Sequence, residues 1–255
     1  MSGVLPQGVA ERVARLSTPQ TLISCGQDKT VKMWDICTGE CKKTLFGHTD
    51  AVTCIAPYRD STFFTGSNDG TVREWDGSTG KCLHVFEGHT HYVRSLCVLA
   101  ERDVPVVASG SHDKTIIVWH ISNGPSQVEA VLEGSGLFGV SALASAEHDT
   151  VLVCGDEDGH IRLWDTRTWE EIPTLIAGHN SAIESIKVIE HEPETLLVTC
   201  GGDGDNSVKV WGLHSGRCLH TFKDHRSGVW CADFVCAGSS SEEADIQTLL
   251  ILIPT

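Results

Sequence analysis

Residues 63–76 read FFTGSNDGTVREWD, and the fold follows from this stretch. Two apolar residues run into a small polar one and a glycine, Phe63-Phe64-Thr65-Gly66. Asp69 then stands six residues ahead of Trp75. Within that interval Thr71-Val72-Arg73-Glu74-Trp75 alternates polar and apolar side chains, the period of a half-buried strand. Working outward, a Gly-containing turn leads to a further run, Cys82-Leu83-His84-Val85-Phe86. Gly88-His89 then opens a new segment, as Gly47-His48 opened this one.

The whole arrangement recurs. Asp28/Trp34, Asp69/Trp75, Asp113/Trp119, Asp158/Trp164 and Asp205/Trp211 keep the six-residue interval, and successive tryptophans lie 41, 44, 45 and 47 residues apart. Gly178-His179 is another intact opening, whereas the fourth and sixth openings are degenerate, Gly134-Ser135 and Asp224-His225. Each repeat holds four runs of strand length bordered by Gly, Asn, Asp or Ser. Val9 to Leu16 reads either as a short helix or as the fourth strand of the first repeat; no other long segment has a helical period. Four strands in about 40–45 residues, repeated, predict an all-β propeller of four-stranded antiparallel blades. The predicted repeats are 8–46, 47–87, 88–133, 134–177, 178–223 and a partial 224–255, forming one domain.

Gly-His followed by Trp-Asp (Trp34-Asp35, Trp75-Asp76, Trp164-Asp165) resembles the WD-repeat β-propeller family across almost the whole chain. The resemblance implies a structural role for the recurring polar residues. In each blade a histidine bonds the Asp of the second turn, a strand Ser or Thr bonds that histidine, and the Trp indole N–H completes the chain. Carried onto this sequence, the networks are His48/Thr65/Asp69/Trp75, His89/Ser109/Asp113/Trp119 and His179/Thr199/Asp205/Trp211. The third should be loosened by the extra glycines Gly201, Gly202 and Gly204. Blade four keeps Asp158 and Trp164 but has Ser135 for the histidine and Cys154 for the hydroxyl, so it should be the least rigid. Five copies of one constellation argue for architecture, since an active site is rarely built five times over.

The resemblance also implies a peptide-binding ring on the face that carries the Gly-His and Asp loops. Its contact positions lie five residues after the blade histidine, two before that, and just before the blade Asp. They hold Thr53 and Ala51 in one blade, and Arg94, Tyr92 and His112 in the next. Blade four supplies Phe138, Ser141 and Glu157, blade five Glu184, and blade six Trp230, with Gln27 and Asn68 completing the set. Tyr92, Arg94, His112, Phe138, Glu157, Glu184 and Trp230 are the candidate partner-binding residues. Trp, Tyr and Arg dominate interface hot spots, which favours Arg94, Tyr92 and Trp230. The alternative is that Tyr92 and Trp230 pack into their own blades. Trp169, on the turn after Trp164-Asp165, is a second exposed candidate on the opposite face, or packs on its own blade.

The formal net charge of −15 argues against a polyanionic partner such as nucleic acid or an anionic membrane. No charged-then-apolar leader and no run of eighteen apolar residues occurs, so an intracellular protein, cytoplasmic or nuclear, is expected. The 11 cysteines follow the repeat, with Cys41, Cys82 and Cys218 at one register position, and read as small buried residues. Cys37 and Cys41 are the one close pair, and no zinc-ligand spacing appears. Gly201-Gly202-Asp203-Gly204 lacks the following helix and Lys of a phosphate-binding loop. No catalytic, metal or cofactor site is therefore expected.

The resulting expectation is a non-catalytic scaffold that binds proteins or peptides. The alternative is a substrate-recognition subunit of a ubiquitin ligase resembling the F-box/WD-repeat receptors, although only one arginine occupies the contact positions. Most propellers of this family close with seven blades. About five blades and part of a sixth imply closure by missing sequence or a second chain, or else a smaller ring.

Overall fold

The computed structural model describes residues 10–15, 21–59, 61–121, 127–133, 139–176, 178–190, 194–235 and 248–252. Every regular element among them is a β-strand. Internal contacts divide the chain into two units, Met1–Glu133 and Gly134–Thr255.

The first unit holds three four-stranded antiparallel sheets. The first comprises β1 (Ala10–Arg15), β2 (Thr21–Gly26), β3 (Val31–Asp35) and β4 (Cys41–Leu45). The second comprises β5 (Val52–Pro57), β6 (Thr62–Ser67), β7 (Thr71–Asp76) and β8 (Lys81–Glu87). The third comprises β9 (Val93–Leu99), β10 (Val106–Ser111), β11 (Ile116–His120) and β12 (Val128–Leu132). The segment at Val9 to Leu16, open between helix and strand in sequence, supplies β1, which pairs with β2.

The second unit repeats the plan. β13 (Val140–Ala146), β14 (Val151–Asp156), β15 (Ile161–Asp165) and β16 (Glu171–Ile176) form one sheet. β17 (Ile183–Ile189), β18 (Leu196–Gly201), β19 (Val208–Gly212) and β20 (Cys218–Phe222) form the next, and β21 (Cys231–Val235) pairs with β22 (Thr248–Leu252).

Strand alternation explains how the β5–β8 sheet serves two neighbours. Successive residues point to opposite faces, so Phe63 packs with Ile23, Val31 and Leu45 of the preceding sheet. Phe64 packs with Phe86 and with Val93, Val107 and Trp119 of the following one. The Phe86 and Trp119 rings lie 5.6 Å apart. Burying an aromatic of that size contributes about 1.5–3 kcal/mol. In the second unit Leu197 and Val198 divide in the same way, one facing the β13–β16 sheet and the other facing β21. Phe222 occupies on β20 the place that Phe86 has on β8, yet it is 40% exposed.

The turn between second and third strands is set by its aspartate. Asp69 Oδ1 accepts the Thr71 N–H at 2.9 Å, as Asp113 Oδ1 accepts that of Thr115 at 3.0 Å. The residue after each blade Asp is left-handed: Lys29, Gly70, Lys114, Gly159 and Asn206. Glycine precedes the blade histidine for lack of space. A Cβ on Gly178 would overlap the Gly159 carbonyl, which accepts the His179 N–H at 2.8 Å.

Candidate functional site

The polar groups of three blades meet at hydrogen-bonding distance. His48 Nδ1 lies 2.9 Å from Asp69 Oδ2, its Nε2 lies 2.8 Å from Thr65 Oγ1, and Trp75 Nε1 donates to that hydroxyl at 2.8 Å. His89 makes the same contacts to Asp113 and Ser109, both at 2.8 Å, with Trp119 Nε1 donating to Ser109 at 2.8 Å. His179 lies 2.9 Å from Asp205 and 2.7 Å from Thr199, and Trp211 donates to Thr199 at 2.8 Å. The loosening expected from Gly201, Gly202 and Gly204 is absent from these distances. The insertion is taken up in the turn over Asp203–Asp205, which still delivers Asp205 to His179.

The electrostatics fix the direction of two of these chains. Burial alone would raise the Asp69 carboxyl. Donation from His48, Thr71 and the Thr49 N–H outweighs it and holds the group well below the usual carboxylate range. Asp113 and Asp205 are depressed by the same balance. Burial lowers His89 and His179 against the pull of their aspartates, so both rings are neutral near pH 7. A neutral ring that donates from Nδ1 must accept at Nε2. The His89 and His179 chains therefore run from Trp N–H to hydroxyl to imidazole to carboxylate.

Blade four corrects the expectation for Asp158. Its side chain is exposed, and its backbone N–H donates to Asp156 Oδ1 at 3.1 Å. Asp156 is the buried carboxylate of this blade and also accepts the His160 N–H at 2.8 Å. With Ser135 in place of the blade histidine, no imidazole draws Asp158 inward. Trp164 is buried, but its Nε1 has no hydrogen-bond partner among the described residues. Cys154, in the position of Thr65, is buried beside it in register, and burial pushes its thiol far up.

The contact positions sit on a repeated backbone device. In each of the five complete sheets the innermost strand carries one extra residue in its pairing: Glu11 between Ala10 and Arg12, Thr53 between Val52 and Cys54, Arg94 opposite the Gly110–Ser111 step, Ser141 and Glu184 likewise. Such a bulge leaves its residue outside the ladder and re-aims the side chain. Just upstream, the residue two before the bulge bonds the residue before the blade Asp. Ala51 O accepts from Asn68 N, Tyr92 O from His112 N, and Gly139 O from Glu157 N, each at 2.9 Å. Blade four therefore has Gly139 where Phe138 was expected, and Phe138 lies outside the described residues.

The bulged side chains divide into two kinds. Thr53 is buried, and its hydroxyl donates to the Val93 carbonyl of the next sheet. Ser141 donates to the Ile183 carbonyl at 2.6 Å. Val93 and Ile183 immediately precede the next bulges, Arg94 and Glu184, so a hydroxyl bulge anchors a charged one. Arg94 is exposed and makes no side-chain hydrogen bond or ion pair with the described residues. Tyr92 is 42% exposed and Trp230 is 53% exposed, so neither is buried within its own blade. Glu157 and Glu184 are half-buried, and Gln27 and His112 are exposed. Asn68 is half-buried, with Oδ1 lacking a partner.

Sequence reasoning missed His91. Its ring stacks on His112 at 4.6 Å and meets Tyr92 edge-on at 4.2 Å. It also missed Ser24, which accepts from Trp34 Nε1 at 2.8 Å, and Thr71 and Thr115, which donate to the blade aspartates. All three were readable from register: Ser24 is ten residues before its Trp, as Thr65 is, and each threonine is two after its Asp. Trp169 is half-buried with a left-handed backbone. Cys41 and Cys218 are exposed rather than buried, because the outer strand turns that position to solvent, and no disulfide joins the described cysteines. Among the described residues no group of three His, Cys, Asp or Glu is placed to hold a metal, and no helix is long and apolar enough to cross a membrane.

Repeated four-stranded antiparallel sheets, three of them carrying a histidine–aspartate–tryptophan chain, define a repeat protein of the β-propeller class. A family profile described as "WD domain, G-beta repeat" matches residues 12–35, 39–76, 80–120, 126–165, 169–212 and 216–242, and the chain belongs to the WD-repeat family. It is 26% identical to Autophagy-related protein 16 of Arabidopsis thaliana, over 88% of this chain and 52% of that protein. It is 30% identical to U3 small nucleolar RNA-associated protein 15 of Saccharomyces cerevisiae, over 52% of this chain and 25% of that protein. F-box/WD repeat-containing protein sel-10 of Caenorhabditis elegans is 35% identical over 32% of this chain and 14% of its own length. The chain thus spans about half or less of these relatives. Proteins of this family are in general interaction scaffolds that bind other proteins, and they are typically without enzymatic activity.

Proposed function

We propose that this chain is a non-catalytic scaffold whose bulged and adjoining residues contact partner proteins. The candidate contacts are Tyr92, Arg94 and His112 in the first unit and Glu157, Glu184 and Trp230 in the second. One observation carries the reading: Arg94 and Trp230, with Tyr92 two residues before Arg94, are exposed, whereas the residues Thr53 and Ser141 at the position of Arg94 are consumed in bonds to the next sheet. The fold makes no such use of the first three. The histidines and aspartates that resemble catalytic groups are spent on one another in every blade that has them, which supports a non-enzymatic reading. The net charge of −15 supports protein rather than nucleic-acid partners. Replacing Arg94, Tyr92 and Trp230 with alanine should abolish partner capture while leaving the thermal transition in place. Undiminished capture would show that the contact surface lies elsewhere.

A second reading, a substrate-recognition subunit of a ubiquitin ligase, is favoured by the segment similar to the F-box/WD-repeat relative. It requires selective binding of phosphorylated over unphosphorylated peptides, and equal binding of the two would remove it.

A further inference from the structure

We propose that the tip of blade three, formed by His91, Tyr92, Arg94 and His112, receives a carboxylate side chain from an acidic segment of the partner. The proposal rests on the protein-binding reading and names the chemistry of what is bound. His91 Nδ1 accepts the Tyr92 N–H at 2.9 Å. In the neutral ring the proton therefore sits on Nε2, leaving that nitrogen as a donor. The ring is held in place by its edge-on contact with Tyr92 and its stack on His112. Backbone bonds fix the segment beneath it, with Tyr92 O accepting from His112 N at 2.9 Å and His91 O from Ser111 Oγ at 3.3 Å.

Two residues on, Arg94 presents a guanidinium that is exposed and unpaired among the described residues, on a bulge anchored through Val93 by Thr53. A planar cation of this kind favours carboxylates, with which it forms paired, charge-assisted bonds. The nearby carboxylates are committed elsewhere. Asp113 takes His89 and the Thr90 N–H on one oxygen and Thr115 on the other. Asp69 is held by His48 and Thr71 in the same way, and Asp50 Oδ1 accepts the Ala51 N–H. The tip is therefore a local set of donors on a chain of net charge −15. The aromatic faces of Tyr92 and the stacked imidazoles suit an apolar residue next to the acidic one. A Glu or Asp flanked by an aromatic side chain is the complementary sequence.

The test is fluorescence anisotropy with the full chain, using a short labelled Glu/Phe peptide and its Gln/Phe isostere. The Glu form is expected to bind about tenfold more tightly, a difference of about 1.4 kcal/mol. Arg94→Glu should erase that preference, and His91→Phe, which keeps the ring and removes the donor, should reduce it severalfold. Both variants are checked by circular dichroism for an unchanged melt. Equal binding of the two peptides, binding of neither, or a preference that survives Arg94→Glu overturns the acidic-ligand proposal. If partner capture is nevertheless lost when Tyr92 and Arg94 are replaced with alanine, the protein-binding reading stands and only the ligand chemistry falls.

Discussion

Asp113 accepts from four donors while remaining largely buried, so its loss strands several groups at once. Asp113→Ala should destabilise the fold by about 2–3 kcal/mol, the cost of leaving buried donors unmatched next to a removed charge. Urea denaturation at neutral pH would measure it, and a change under half a kcal/mol would mean that water replaces the carboxylate. Blade four offers the converse experiment. Trp164 Nε1 is buried without a described acceptor, and Cys154 stands where other blades have the accepting hydroxyl. Cys154→Ser should raise stability by about 0.5–1.5 kcal/mol. A lower melting temperature would show that the hydroxyl does not reach the indole. The Asp-to-Trp interval was legible in sequence because both ends of one bonded chain must keep their spacing across the hairpin. The exchange of Asp158 for Asp156 was not, because it depends on which carboxylate finds donors, and spacing does not encode that.

At the scale of elements, the bulge on each innermost strand separates anchoring from presentation. Thr53 lies outside the ladder of its own sheet and donates across to Val93, immediately before Arg94. Thr53→Val keeps the shape but removes the donor, leaving the Val93 carbonyl short of a partner. A loss of about 1 kcal/mol is expected by thermal denaturation, together with faster amide exchange at Val93 and Arg94. Unchanged exchange there would mean that β-pairing alone holds the bulge. The register position of these residues could be read from the repeat. Their division into anchors and presenters could not, because it turns on whether a short hydroxyl lies within reach of a carbonyl in the next sheet. The strand at Ala10–Arg15 was ambiguous for a related reason: its pairing with β2 comes from tertiary contact, not from local pattern.

At the scale of the whole molecule, three buried histidine–aspartate pairs link stability to pH. His89 and His179 are lowered in the folded chain, so below about pH 6.5 the unfolded chain binds more protons and stability falls as the solution is acidified. Asp69, Asp113 and Asp205 are also depressed. Their contribution is complete above the ordinary carboxylate range, about pH 4, and is lost as pH falls through their folded values. Both effects have the same sign. Melting temperature should decline from pH 7.5 to 5.5 and more steeply below pH 4, and a maximum near pH 5 would contradict the assignment of neutral imidazoles. The composition that signalled an acidic chain gave no hint of a donor-rich tip, since net charge averages over carboxylates already committed to internal bonds.

The bulge also bears on how such a chain diversifies. Thr53, Arg94, Ser141 and Glu184 occupy equivalent coordinates, yet two face inward to a neighbour's carbonyl and two carry charge. Because the extra residue is not paired in the ladder, a single codon change there alters what the surface reads without rebuilding a strand. Selection can explore new partners at these coordinates through genotypes that all fold, so divergent recognition is accessible while the repeat beneath it is kept.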